Sequence, residues 1–293
     1  MNYDPLALKF ILQLITAEYV MHLVRYAVIA GVAYLIFYVW FRRRGMGRKI
    51  QAAFPKSADL RREIGYSLLS FFVFCGAGLL TLTFHRLGWA HLYFKIGRFG
   101  WPYLWFSLIA LIFLHDTWFY WTHRLMHWKP LFPLFHRVHH LSHNPTPWAA
   151  FSFHPLEAVV QAVIFPLAVL ILPLHPLVAL IWLLYMTVMN VFGHLGFEIL
   201  PAGFLRNRFS RWHNTSVHHN MHHRYVHCNY GLYFNVWDRL MGTNHPRYEE
   251  EYDRIFTVKP GAGEGDAMAR SNFVPGSGVV AVGAGWKNSR TTP

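Results

Sequence analysis

Residues 101–127, WPYLWFSLIALIFLHDTWFYWTHRLMH, decide the fold. The apolar run 101–121 is close to the ~20 residues that carry a helix across ~30 Å of hydrocarbon. Its last turns hold His115 and Asp116, and it runs directly into His123 and His127. Positions i and i+4 share a helix face one turn apart, so these two imidazoles point the same way. The stretch therefore predicts a membrane helix that delivers a histidine pair to the membrane surface.

Working outward, residues 64–84 (IGYSLLSFFVFCGAGLLTLTF) predict a second span. Residues 26–41 (YAVIAGVAYLIFYVWF), extended back through His22 and Arg25, predict another. Residues 156–174 and 176–195 are again apolar, and the break at Pro173, His175 and Pro176 between them predicts a helical hairpin. Composition agrees: 54% of the 293 residues are hydrophobic, 18% aromatic and 14% charged. A soluble domain carries about 25% charged residues. The expected fold class is all-α, an integral membrane helical bundle with a histidine-rich cap.

The formal charge of +13 does not point to nucleic acid, because the basic residues cluster beside apolar segments and no nucleic-acid-binding motif is present. Anionic lipid headgroups are the expected partner of that charge. Eight Lys and Arg lie in 42–63, against three in 85–100, so the positive-inside bias places 42–63 in the cytoplasm. Counting spans then puts 122–155 and everything after 196 on the same side. The opening MNYDPLALKF lacks the features of a removable signal peptide. Cys75 lies in an apolar run and Cys228 in a polar one, so no disulfide framework is expected.

Fifteen of the twenty histidines fall in two stretches, eight from His115 to His154 and seven from His194 to His227. They contain three spaced motifs: His123 and His127; His136, His139 and His140; His219, His222 and His223. A single such motif is commonly an amphipathic surface feature. Three on one membrane face predict a metal site, and eight imidazoles suit two ions rather than one. Neutral imidazole suits iron, zinc, copper and nickel, while the lack of Cys pairs argues against thiolate zinc. His22, His85, His91, His175 and His245 lie outside any motif and are expected to be ordinary interfacial or loop residues; His143 and His227 are left open. Asp116 is either an acceptor for a ligand's second ring nitrogen or a plain helix-end carboxylate, and His115 beside it either binds a metal or hydrogen-bonds to a residue that does. A metal transporter would place histidines and acids near mid-span instead. A non-catalytic metal-binding membrane protein would bind metal without consuming O₂.

The segments HDTWFYWTHRLMH, HRVHH, NPTPWAAFSFHPLE, GHLGFE, HHNMHH and NYGLYFNVWDRLMGT, in that order over about 110–245, resemble the fatty acid hydroxylase and sterol desaturase superfamily. PTPWAAFSFHP, NYG and WDRLMGT are most similar to sterol C-5 desaturases and their bacterial relatives. The resemblance implies a helical membrane enzyme with a cytosolic histidine cap and two non-haem irons. It further implies O₂ as co-substrate, a separate electron-donor protein, and a sterol-like or fatty acyl lipid hydroxylated or desaturated at a C–H bond. It carries eight ligands onto His123, His127, His136, His139, His140, His219, His222 and His223. The family usually adds one or two from between the second and third motifs, and His194 is the first choice. A histidine four residues earlier would fall at Asn190, where this chain has an amide; His154, His218 and His213 are the alternatives. The implied organisation is membrane helices in 1–100, the catalytic domain in 101–260 and a disordered Gly-rich tail in 261–293.

The topology has a direct test. Cysteines introduced at Pro130 and Asn207 are expected to react with an impermeant label from the same side of the membrane. Labelling from opposite sides would mean that the two histidine regions cannot share a site.

Overall fold

A computed structural model describes residues 5–42 and 47–257. The expected tail at 261–293 lies outside the described residues, as do Arg43 and Arg44 of the basic segment. The described chain is all-α. Its long helices are α1 (Pro5–Tyr34, continued by a π turn over Leu35–Trp40), α2 (Ser57–Arg86), α3 (Gly100–Met126) and α8 (Pro176–Gly193). Short helices α4 (Phe132–Phe135) and α5 (Arg137–His140) follow α3, and α6 (Pro155–Ala162) and α7 (Ile164–Ile171) lead into α8. The chain closes with α9 (Ser216–Tyr225), α10 (Val236–Leu240) and α11 (Tyr248–Thr257).

Among the described residues, four helical stretches are long and apolar enough to cross a membrane: Leu8–Trp40, Ser57–Arg86, Gly100–Met126 and Pro176–Gly193. The first starts well before the expected extension to His22, so His22, expected at an interface or in a loop, lies within the span and is buried. Thr16, Glu18, His22 and Arg25 interrupt the apolar pattern in sequence, but the helix continues through them. The expected hairpin is present as α6–α7 followed by α8. Pro166 sits in the first turn of α7, where its missing N–H removes no intrahelical bond.

The packing is that of a membrane bundle. One core joins Leu104, Leu108 and Leu111 of α3 to Ile164, Ala168 and Val169 of α7 and Val178 and Trp182 of α8. A second joins Tyr26 and Ala30 of α1 and Phe71 of α2 to Phe151, Phe153 and Val191 just beneath the cap. The opposite face of α1 exposes Val20, Val24, Val28, Val32 and Val39, and α3 exposes Trp105, Phe106, Ile109 and Phe113. An apolar outer surface of this extent is stable in hydrocarbon and not in water. The chain is an integral membrane protein. The cap has its own core, in which Val217 and Met221 of α9 pack on Tyr248, Tyr252 and Ile255 of α11.

Asp116 and His115 tie the cap to the bundle. The Asp116 carboxylate accepts from the backbone N–H of Tyr233 (2.8 Å) and Phe234 (3.2 Å), and His115 Nδ1 lies 2.8 Å from the Tyr233 hydroxyl. Asp116 thus anchors the 229–235 loop and holds no metal ligand; it stands two helical turns before His123, too far to reach that ring. His115 likewise bonds to the loop and to no ligand. Losing the carboxylate leaves two backbone donors without an acceptor, the buried one of Tyr233 at a cost of ~1–3 kcal/mol and the half-buried one of Phe234 at less. Asp116→Ala is expected to lower the unfolding temperature of the detergent-solubilised protein markedly, whereas Asp116→Asn, which keeps an acceptor oxygen, stays near wild type. Equal effects of the two substitutions would contradict the anchoring role.

Candidate metal centre

Each histidine motif is positioned by a different local device. His123 lies in the last turn of α3 and His127 is its C-cap, so a continuous helix sets their spacing. His136 sits at the junction of α4 and α5, and His139 and His140 end α5. The second motif is therefore two short helical turns rather than one helix. His219, His222 and His223 lie on α9, whose N-terminus is capped by Thr215, its side chain accepting from the His218 N–H. His194 is the C-cap of α8.

These elements bring the imidazoles into two groups, each with its ligand atoms within 4.8 Å of one another. One comprises His123, His127, His136, His140 and His222; the other comprises His139, His194, His219 and His223. In the first, Nε2 atoms are separated by 2.9 Å (His123 to His136), 3.0 Å (His140 to His222), 3.3 Å (His123 to His127) and 3.3 Å (His127 to His140). In the second, His194 Nε2 lies 3.3, 3.0 and 3.2 Å from the Nε2 atoms of His139, His219 and His223. Bonds of ~2.1 Å from imidazoles to a shared ion place neighbouring nitrogens roughly 3.0–3.4 Å apart. The observed spacings match.

The outer ring nitrogens fix which form each imidazole takes. His123 Nδ1 is 2.8 Å from the Tyr230 carbonyl, His194 Nδ1 is 2.7 Å from the Asn190 carbonyl and His222 Nδ1 is 2.7 Å from the Cys228 carbonyl. His139 Nδ1 is 3.3 Å from the Ser152 carbonyl, and His136 Nδ1 is 2.7 Å from Glu157 Oε1. Oxygen acceptors require Nδ1 to carry the hydrogen in all five, which leaves Nε2 as a bare lone pair facing the other rings. Burial holds the rings of His127, His136, His139, His140, His219, His222 and His223 well below the ordinary imidazole range, and takes His194 down to about 4. They are neutral. Converging neutral lone pairs repel one another unless a cation lies between them, so the donor set fits two metal ions.

The remaining candidates sit elsewhere. His154 caps α6, its Nδ1 accepting from the Leu156 N–H at 3.3 Å. The Asn190 amide donates to the Ala150 carbonyl at 2.6 Å; only its backbone oxygen touches His194. His213 is exposed and packs on Phe234. His218 is buried 3.4 Å from Asp238 Oδ2 and joins neither group. Of the two undecided residues, His143 is exposed, and the His227 ring lies 6.4 Å from that of His127.

Two acids had no role assigned from sequence. Glu157 orients His136 from 21 residues away. Asp238 accepts from the N–H groups of Tyr230 (2.9 Å) and Gly231 (2.7 Å) and from the Thr243 hydroxyl (2.6 Å). It thereby holds the Tyr230 carbonyl against His123. Burial would raise its pKa, but bonds from His218, Thr243 and the Tyr230 backbone outweigh that and keep it below the usual carboxylate range. Gly231 permits this approach: a Cβ there would stand 2.6 Å from the Phe234 carbonyl and 2.9 Å from Asp238. The signal was the pairing of NYG with WD seven residues on.

Comparison with known proteins agrees with the geometry. A family model described as fatty acid hydroxylase matches residues 108–243. A Δ7-sterol 5(6)-desaturase of Gibberella zeae is 33% identical over 178 residues, covering 60% of this chain and 54% of the relative. Lathosterol oxidase of Homo sapiens is 30% identical over 190 residues, covering 63% and 61%. Lathosterol oxidase of Rattus norvegicus is 35% identical over 162 residues, covering 54% and 52%. The chain thus spans about half the length of the curated relatives it matches. No solved structure matches.

Outer partners of metal-bound histidines typically carry 10–100-fold in metal affinity. Glu157→Ala is expected to weaken metal binding by about that factor in a chelator competition. Asp238→Ala should do the same through Tyr230 and His123, while His154→Ala leaves it unchanged. Equal retention by all three variants would contradict the orienting roles of Glu157 and Asp238.

Proposed function

Because residues 108–243 belong to the fatty acid hydroxylase and sterol desaturase superfamily, we propose that the protein is a membrane-bound di-iron oxidoreductase that hydroxylates or desaturates a lipid with O₂. The observation that carries this is the convergence of nine buried imidazoles in groups of five and four at the end of the membrane bundle. All-imidazole sites with open positions suit iron. His123, His127, His136, His140 and His222 would hold one ion, and His139, His194, His219 and His223 the other.

Bound iron supplies the power to activate O₂ against an unactivated C–H bond, which no amino-acid side chain provides. Hydroxylation consumes the lipid C–H, O₂, two electrons and two protons and yields an alcohol and water. Desaturation takes two hydrogens from adjacent carbons with the same inputs and yields an alkene and two waters. The electrons come from a separate donor protein. The chain's own residues keep the imidazoles neutral by burial, fix their tautomers through Glu157 and four backbone carbonyls, and exclude water.

The lipid enters laterally from the bilayer, so residues 1–100 form part of its enclosure and residues 101–260 carry the chemistry. A sterol-like lipid is favoured over a fatty acyl chain by the names of the relatives, which are a sterol desaturase and lathosterol oxidases. The basic residues of 42–63 support a cap, and with it an active site, on the cytoplasmic side, where anionic headgroups would meet the positive charge.

Lipid profiles of cells with and without the protein are expected to differ by an oxidised or unsaturated lipid, with matching O₂ consumption in the purified protein supplied with iron and reductant. His139→Ala and His222→Ala, one from each group, should each abolish that product while leaving membrane insertion intact. Unchanged lipid profiles, or turnover that survives both substitutions, would overturn the proposal.

A further inference from the structure

A cavity of ≈ 210 Å³ lies inside the bundle, between α1, α2, α6–α7 and α8. Phe74, Ala77, Phe165, Trp182 and Met186 make most of its wall apolar, but one side is not. Glu18, His22 and Arg25 stand at i, i+4 and i+7 on one face of α1 and all line it. Helical side chains lean toward the N-terminus, which brings the Arg25 guanidinium back to His22. There Arg25 Nη2 lies 2.9 Å from His22 Nδ1, while the His22 ring is wedged between Phe71 and Phe74.

In residues that line this cavity, three polar atoms are buried with no hydrogen-bond partner among the described residues: Arg25 Nε, Glu18 Oε2 and Gln161 Nε2. Arg25 is only 8% exposed, and among the described residues no ion pair to it is formed. Unsatisfied polar and charged groups inside a membrane are costly and mark function. The Glu18 carboxylate lies against α2 at Gly78, where a Cβ would collide with it. Gly78 therefore makes room for the acid.

The elements that line the cavity also support the histidine groups. Gln161 is one turn along α6 from Glu157, which holds His136. Met186 precedes His194 by eight residues of α8, or ~12 Å at 1.5 Å per residue. Tyr26, next to Arg25, packs in the same core as Phe153, whose ring lies 5.3 Å from that of His139.

Resting on the proposed lipid oxidation, we infer that this cavity binds the substrate by a hydroxyl group, which accepts from Arg25 and donates to Glu18, so that the lipid body reaches toward the histidine groups. The chemistry selects the hydroxyl. A carboxylate would satisfy Arg25 and Gln161 but meet the Glu18 carboxylate, and an amine would meet Arg25. An ether or an alkane could not donate to Glu18. A hydroxyl does both at once and carries no net charge into the bundle.

The test measures binding of three probes sharing one chain, 1-hexadecanol, its methyl ether and hexadecanoate, to the full-length detergent-solubilised protein without turnover. The alcohol is expected to bind at least ~10-fold more tightly than either of the others, a factor of ten corresponding to one good hydrogen bond. Glu18→Leu should bring alcohol and ether to equal affinity, and Arg25→Met should weaken both. Gly78→Ala, which displaces the Glu18 carboxylate without altering charge, should reproduce the Glu18→Leu result and guards against misfolding of the charge variants. Metal content should stay at the wild-type level in all three. Equal binding of the three probes, preference for the carboxylate, or cation flux through the protein in liposomes that requires Glu18 and His22 would overturn the inference. Selective alcohol binding in a protein that oxidises no lipid would leave this site standing and the enzymatic proposal refuted; oxidation without headgroup preference would do the reverse.

Discussion

Nine imidazole nitrogens directed at two points in a dry interior are the constraint on which the rest of the structure depends. In five of them a carbonyl or carboxylate holds the hydrogen on Nδ1, so the inner nitrogens face each other as lone pairs. Separations of 2.9 Å (His123 to His136) and 3.3 Å (His139 to His194) between two such nitrogens are unfavourable unless a cation is shared. Cation binding is then coupled to the order of the cap, because the ligands come from α3, α5, α8 and α9 and from the turn at His136.

The scaffolding makes sense in that light. Two acids, Glu157 and Asp238, orient the histidine groups from outside them, one directly on His136 and the other through the loop that holds His123. Asp116 and His115 clamp the same loop to the bundle from below. The backbone carbonyls of Ser152, Asn190, Cys228 and Tyr230 do as much orienting as the side chains, and carbonyls leave no mark in a sequence. The membrane supplies the complementary half of the design: an apolar exterior that needs no water, around a bundle whose cavity is apolar except on the side of Glu18, His22 and Arg25.

Much of this was legible in the chain. Long apolar runs gave the spans, and histidines at i, i+3 and i+4 gave the candidate ligands, because both signals are local and periodic. His194 was singled out from its place at the end of an apolar segment, and it stands in the second group. What was not legible depends on contacts far apart in sequence. Glu157 meets His136 across 21 residues, and Asp116 meets Tyr233 across 117. In sequence, a carboxylate two turns before a histidine pair is equally a partner for it or a plain helix-end group, and the fold does neither: it turns that carboxylate to a loop. The full length of α1 is a related case: the apolar run, even extended back through His22 and Arg25, stops short of the observed start because Thr16 and Glu18 interrupt the pattern.

Iron content of the purified protein, wild type beside His194→Ala, bears most directly on the central claim. Two iron ions per chain are expected in the wild type, falling to about one in His194→Ala because the group of four loses the nitrogen nearest to the other three. One ion or fewer in wild-type protein loaded with excess iron, or two retained in His194→Ala, would contradict a pair of metals held by groups of five and four histidines.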